Sequence, residues 1–167
     1  RVKTHSSGII DWSQSYGGTD DEEASSIVQT TDGGYAIAGY SKSYTGGTKD
    51  VYLVKTSSDL SASWSKTYGS TDYDDEAYSI VETKDGGYAI TGYTKDYLSA
   101  GTKNVYIIRT DAGGTVSWTQ GVGGGSTDIA YDIVENTDGG FLTVGSSNGL
   151  TFGQGGYEMY FVKTNSD

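Results

Sequence analysis

The tripeptide Asp-Gly-Gly recurs at Asp32–Gly34, Asp85–Gly87 and Asp138–Gly140, with a step of 53 residues each time. Three tryptophans keep nearly the same beat, Trp12, Trp64 and Trp118 standing 52 and 54 residues apart. The pairs Ile27-Val28, Ile80-Val81 and Ile133-Val134 repeat at the same interval. A fixed period of this length means one supersecondary unit used again and again, so it constrains the fold more than any other feature. The first two units match closely, "EASSIVQTTDGGYAIAGYSKSY" against "EAYSIVETKDGGYAITGYTKDY". The third, "IAYDIVENTDGGFLTVGSSNGL", has drifted.

Each unit carries four strand-like stretches. In the first unit they are Ala24–Thr30, Tyr35–Tyr40, Val51–Thr56 and Ser63–Tyr68. Thr31-Asp32-Gly33-Gly34 reads as the hairpin turn between the first two, because Asp-Gly and Gly-Gly supply the positive φ that tight turns require. Ser41–Asp50 is a longer polar loop and Ser57–Ser61 a short turn. No stretch repeats its apolar residues at a helical spacing, and the β-branched, aromatic and glycine content favours strands.

The middle strands are apolar on both faces. In "VYLVKT", Val51 and Leu53 point one way and Tyr52 and Val54 the other. A sheet open to water on one face would alternate polar with apolar, so these sheets should be covered on both sides. Stacking four-stranded units around an axis achieves that, and the expected fold is all-β, built of β-propeller-type blades. A β-trefoil or β-prism, each also made of three four-stranded units, is the alternative. A trefoil would not need every middle strand buried on both faces.

The residues that carry the repeat are also those of a known pattern. A strand ending in Gly-Tyr, then "DVYLVKT", then a Trp-bearing strand resembles the blades of kelch-type propellers. The units are still more similar to repeats of secreted bacterial and archaeal surface proteins, which read W-x-K-x-Y-G-G, then D-E-A-x-S-I-V, then D-G-G-Y. The likeness spans nearly the whole chain. It implies a fold and leaves function almost unspecified. The paired glycines here precede the second strand, whereas kelch glycines end it, so only the architecture carries over.

By that resemblance the "EASSIV" strand is innermost in a blade and the Trp strand outermost. The chain then divides into residues 1–23, the terminal strands of a split blade, blades at 24–76 and 77–129, and an incomplete blade at 130–167. It begins on a third strand (Val2–Thr4) and a fourth (Asp11–Tyr16), and it ends on a first, second and third (Ala130–Thr164). "RVKT" at Arg1–Thr4 and "FVKT" at Phe161–Thr164 are the same phrase because they are the same strand of the unit. Propellers typically have about four to eight blades. Three outcomes are open: an excerpt of a longer array, a ring formed by several copies, or an open head-to-tail assembly. Exposed sheet edges favour association in any of them.

Composition narrows the function classes. Twenty-two acidic residues against 11 basic give a formal charge of −11, which opposes binding to nucleic-acid phosphates. There is no cysteine, hence no disulfide and no thiolate metal site. No apolar run approaches the roughly 20 residues needed to span a bilayer. Arg1 is not an initiator methionine and no apolar leader follows it, so the sequence reads as a processed chain or an excerpt.

Propeller topology would bring two loop sets to one face. The loops between units hold Asp20, Asp21 and Glu23, then Asp72, Asp74, Asp75 and Glu76, then Asp128. These carboxylates are the candidate calcium ligands, since Ca²⁺ takes about six to eight oxygens. Their spacing is not that of an EF-hand, and the plainer account is that they cap turns and face solvent. The loops between second and third strands each place an aromatic at one position, Tyr44, Tyr97 and Phe152. These rings are the candidate sugar-stacking platform, with stapling of their own loops as the plainer account. The tryptophans are expected at the packing between units, and Lys3, Lys55, Arg109 and Lys163 to snorkel at strand ends.

Catalysis finds little footing. His5 is the only histidine, which leaves no multi-histidine metal site within one chain and disfavours a Ser-His-Asp arrangement. A carboxylate pair could serve a glycosidase, but acids are too numerous for that to discriminate. The expected function is a non-catalytic extracellular or cell-surface module for structure or adhesion. It requires no cofactor, calcium being the one candidate ligand of this kind, and its partner is itself or further blades. The alternatives are a lectin-like glycan binder using the acidic, aromatic face, and a carbohydrate-active enzyme.

Overall fold

A computed structural model describes residues 2–4, 7, 10–97, 101–149 and 156–166, with residues 2–4 and 10–12 described as backbone. The described residues hold thirteen strands and no helix. β1 (Val2–Thr4) and β2 (Ile10–Ser13) form a two-stranded sheet. β3 (Glu22–Gln29), β4 (Tyr35–Ser41), β5 (Asp50–Thr56) and β6 (Ala62–Tyr68) form the first four-stranded sheet. β7 (Asp75–Glu82), β8 (Tyr88–Thr94), β9 (Asn104–Thr110) and β10 (Val116–Val122) form the second. β11 (Asp128–Glu135), β12 (Phe141–Ser147) and β13 (Glu158–Lys163) form the third. Every pairing is antiparallel and joins strands consecutive in the chain.

The strands form where alternation and turns direct them. Gly33 adopts φ +80°, and its N–H donates to the Thr30 carbonyl at 2.9 Å, closing the β3–β4 hairpin. The first strand of each unit starts two residues earlier than the apolar pattern indicates, because Glu22 already pairs with Ser41 and Asp75 with Thr94. Each first strand also carries a bulge, with the register shifting between Ala24 and Ser26, Ala77 and Ser79, and Ala130 and Asp132. The glycine opposite each bulge permits a close approach. A Cβ on Gly39, Gly92 or Gly145 would stand 1.8 Å from the carbonyl oxygen of Glu23, Glu76 or Ile129.

The sheets stack in chain order through one interface used twice. Val28, Ala36, Ala38, Val51 and Leu53 of the first sheet pack on Ala77, Ile80, Tyr88, Ile90 and Ile108 of the second. Val81, Ala89, Val105 and Ile107 of the second pack on Ala130, Ile133, Phe141 and Val162 of the third. β7 lies against β3 and β4, and β11 against β7 and β8. Trp64 meets Tyr88 edge-on at 6.0 Å between ring centroids, and Trp118 meets Phe141 at 5.9 Å, both between sheets. β4, β5 and β8 are buried almost throughout, and so is most of β9. In β13 burial alternates with exposure, since only one face of the third sheet is covered.

No strand of one sheet pairs with a strand of another among the described residues, and no barrel closes. A β-trefoil core would need pairing between units, so the sheet topology departs from that alternative.

Candidate functional site

The "VKT" phrase and the Asp-Gly-Gly turn belong to one local device. Asp32 Oδ1 accepts from the Thr30 hydroxyl at 2.6 Å and from the Gly34 N–H at 2.9 Å. Its Oδ2 accepts from Lys55 Nζ at 2.7 Å, and Lys55 also donates to the Thr56 carbonyl at 2.9 Å. Lys55, hydrogen-bonded to Asp32, holds that carboxyl well below the usual carboxylate range, with Thr30 adding to the effect. Asp85 with Arg109 and Asp138 with Lys163 repeat the pair at 2.5 and 3.4 Å. Lys55 is 7% exposed, so it does not snorkel to water; its ammonium turns back to bind the turn. Residue spacing alone missed this link, although the Asp and the Lys or Arg recur in every unit.

The acidic loops are occupied by the protein's own donors. Asp74 accepts from the Lys49 N–H at 3.1 Å and from Lys95 Nζ at 2.8 Å. Glu76 accepts from the Tyr93 hydroxyl at 2.9 Å and Lys49 Nζ at 3.3 Å. Asp21 accepts from Lys42 Nζ at 3.0 Å, Asp20 from the Asp21 N–H at 2.9 Å, and Glu23 from the Tyr40 hydroxyl at 3.3 Å. Asp72 is exposed beside them. Lys49 and Lys103 also sit over the rings of Tyr40 and Tyr93, at 3.8 and 3.9 Å from the centroids. Among the described residues no three His, Asp or Glu side chains gather as a metal would require.

One carboxylate pair lies deeper. Asp75 is 1% and Asp50 6% exposed, and they belong to neighbouring units. A Cβ placed on Gly69 would stand 2.4 Å from Asp75 Oδ2 and 2.7 Å from Asp50 Oδ1, so both carboxylates converge over that glycine. Asp75 Oδ2 accepts from the Ser70 N–H at 3.0 Å, whereas Asp50 Oδ1 and Asp75 Oδ1 are buried without a partner among the described residues. Burial first, then the charges of Asp75 and Asp74, push the Asp50 carboxyl up to about 7. Burial likewise raises Asp75. The next junction repeats the geometry with one change. Asp128 and Asn104 converge over Gly123, and the Gly124 N–H donates to Asp128 Oδ2 at 2.9 Å. Asn104 Nδ2 donates to the Tyr97 carbonyl at 2.7 Å and to that of Thr102 at 3.2 Å, which ties the long loop down.

The candidate aromatics lie apart. Tyr44 is 55% exposed and tilts over Tyr52 at 5.6 Å between ring centroids, above a shallow groove lined by Ser65, Lys66 and Thr67. Tyr97 covers Gly121 of its own sheet, where an added Cβ would meet its ring at 2.1 Å. Each ring therefore lies on its own sheet. Phe152 and His5 fall outside the described residues.

Neither a protein-family model nor a curated protein matches this chain.

Proposed function

We propose that this chain is a non-catalytic structural or adhesion module of the cell exterior, its sheets being blades of a kelch-like β-propeller array. The observation that carries the reading is the single interface repeated between consecutive sheets, in which side chains of the same repeat positions meet each time. Side-by-side first strands support a fan around an axis. The Ser79 hydroxyl of β7 donates to Asp132 of β11 at 2.7 Å, and the Thr31 N–H donates to Glu82 of β7 at 2.8 Å. The loop acids are held by lysines, tyrosines and backbone N–H groups, so their recurring role is to fasten loops. The charge and the Gly/Tyr/Thr-rich repeats fit a surface setting.

The test is to duplicate residues 77–129 within the chain. In an array, stability grows with each unit and each interface, so the lengthened protein should fold and melt higher. A chain that fails to fold, or melts lower, would count against the reading.

A second reading rests on exposed Tyr44 above its groove: a sugar-stacking site on the rim of the first sheet. Glycan-array binding that disappears in Tyr44→Ala would favour it, and binding unchanged by that substitution would remove it.

A further inference from the structure

The two ends of the stack carry the two halves of the interface used inside it. On the third sheet, Val134, Leu142, Val144, Met159 and Phe161 line the uncovered face. By register they stand where Val28, Ala36, Ala38, Val51 and Leu53 stand in the first sheet. In the second sheet the same places hold Val81, Ala89, Thr91, Val105 and Ile107. The difference is cover. Val51 and Val105 are each 1% exposed, whereas Met159 is 84%; Leu53 and Ile107 are 0%, whereas Phe161 is 59%.

The opposite face of the first sheet is the matching half. Ile27 is 42% exposed, while its counterparts Ile80 and Ile133 are 4% and 1%. The outer part of that face is already covered. Tyr16 packs on Ile37, Tyr52 and Val54, and its hydroxyl donates to the Leu60 carbonyl at 2.5 Å. Between the first and second sheets, the Tyr68 hydroxyl makes the same bond to Gly114 at 2.8 Å. Residues leading from β2 to Tyr16 therefore occupy the place of an outer strand stacked on the first sheet. The inner part of the face is an open groove along Glu23, Ala24, Ile27 and Ile37.

β1 and β2 have the register of a third and fourth strand. Val2 pairs with Ser13, Lys3 with Trp12 and Thr4 with Ile10, the register shifting after Lys3. Val54 pairs with Ser65, Lys55 with Trp64 and Thr56 with Ala62, shifting after Lys55. Val162-Lys163-Thr164, at the end of the third sheet, is the same tripeptide as Val2-Lys3-Thr4.

We infer that a second copy of this chain docks its third sheet on the first sheet, face to face, and that its β13 replaces β1 beside β2. This rests on the stacked-blade reading and deepens it by naming the partner and the residues. Val162, Lys163 and Thr164 of one copy then face Ser13, Trp12 and Ile10 of the other. Phe161 and Val134 enter the groove over Ile37 and Ile27. The polar contacts between sheets also have successors. The Thr31 N–H binds Glu82 and the Lys84 N–H binds Glu135 at 3.0 Å; across the new interface the Thr137 N–H meets the Gln29 amide oxygen. Asp132 of one copy meets Ser26 of the other, as Ser79 meets Asp132 inside the stack. A heterologous contact of this kind closes into a ring where its rotation permits and otherwise adds further copies.

The experiment is sedimentation equilibrium of the 167-residue chain from micromolar concentration upward, with face variants. Wild type should sediment as a dimer or a larger multiple. Phe161→Asp, Met159→Lys and Ile27→Asp should each weaken association at least tenfold while leaving the far-ultraviolet spectrum of the monomer intact. Phe161→Asp mixed with Ile27→Asp should recover a heterodimer, because one intact face of each kind remains. The chain has no cysteine, so Ser13→Cys combined with Val162→Cys should cross-link copies on oxidation. A wild-type monomer at 100-fold the starting concentration, or face variants that associate like wild type, would overturn the docking. If the duplicated-unit chain still folds and melts higher in that case, the stacked-blade reading stands while this inference falls.

Discussion

Asp50 and Asp75 bring two buried carboxylates together over Gly69, and the equivalent junction replaces the first of them with Asn104. A carboxyl raised to about 7 in the folded chain, against an ordinary 3.8, binds its proton more tightly when folded. Stability linked to Asp50 is thus fully present below pH 3.8 and is lost as the pH climbs toward 7. Asp50→Asn copies the second junction and removes the penalty. We expect it to stabilise the protein by roughly 1–3 kcal/mol at pH 8 and to change little at pH 4, as read by thermal melts at both values. A variant less stable than wild type at pH 8 would contradict this.

The Asp32–Lys55 link has the opposite pH sign. Its depressed carboxyl contributes stability above the ordinary carboxylate range, and that contribution fades as pH falls through the folded value. Asp32→Ala removes the carboxylate partner of the buried Lys55 ammonium and leaves its bond to the Thr56 carbonyl. The expected cost is about 1–3 kcal/mol at pH 7. A double-mutant cycle with Lys55→Met measures the coupling, and a value near zero would show that the pair does not hold the turn.

Gly92 leaves no room for a side chain against the β7 bulge, since a Cβ would stand 1.8 Å from the Glu76 carbonyl oxygen. Gly92→Ala should destabilise by roughly 3 kcal/mol or more. Gly124→Ala, with nothing within 4 Å of its added Cβ, serves as the control and should stay within about 0.5 kcal/mol. Urea denaturation of the two variants compares them directly.

Trp64 joins the first sheet to the second through Tyr88 and the buried cluster beneath it. Trp64→Ala should cost about 3 kcal/mol, less than a fully buried tryptophan because part of the ring is solvated. Trp64→Phe should recover part of that loss. Equal stability of all three proteins in chemical denaturation would remove the tryptophan from the packing between sheets.

Calcium offers a further check on the acidic loops. Lys42, Lys49 and Lys95 already bind Asp21, Glu76 and Asp74. We expect melting temperatures in millimolar calcium and in EDTA to agree within about 1 °C, since a ligand of the folded state would raise the first. A shift of several degrees would show that calcium displaces those lysines.

Much of the fold was legible in the residues themselves. The Asp-Gly-Gly turns, the apolar alternation and the 53-residue step locate the four strands of the first unit to within two residues, whereas the strand read at Asp11–Tyr16 ends three residues earlier, at Ser13. The bulges opposite Gly39, Gly92 and Gly145 were not read from the residues, although glycine inside a strand often signals close backbone approach. They depend on which residues of the partner strand lie opposite. The candidate aromatics were identified by position, but spacing does not tell whether a ring reaches outward or lies down on its own sheet, as Tyr97 does.

The sequence by itself determined the period, the strands and the turns, because φ preference and alternation are properties of neighbouring residues. Only the tertiary structure decided that Lys55 turns back to Asp32, that Asp50 meets Asp75, and that the faces of Ile27 and Phe161 are left uncovered. Those outcomes depend on residues far apart in the chain. Register, bulge and stacking set the distance between such residues, and in a low-dielectric interior distance sets their charge and contact energies.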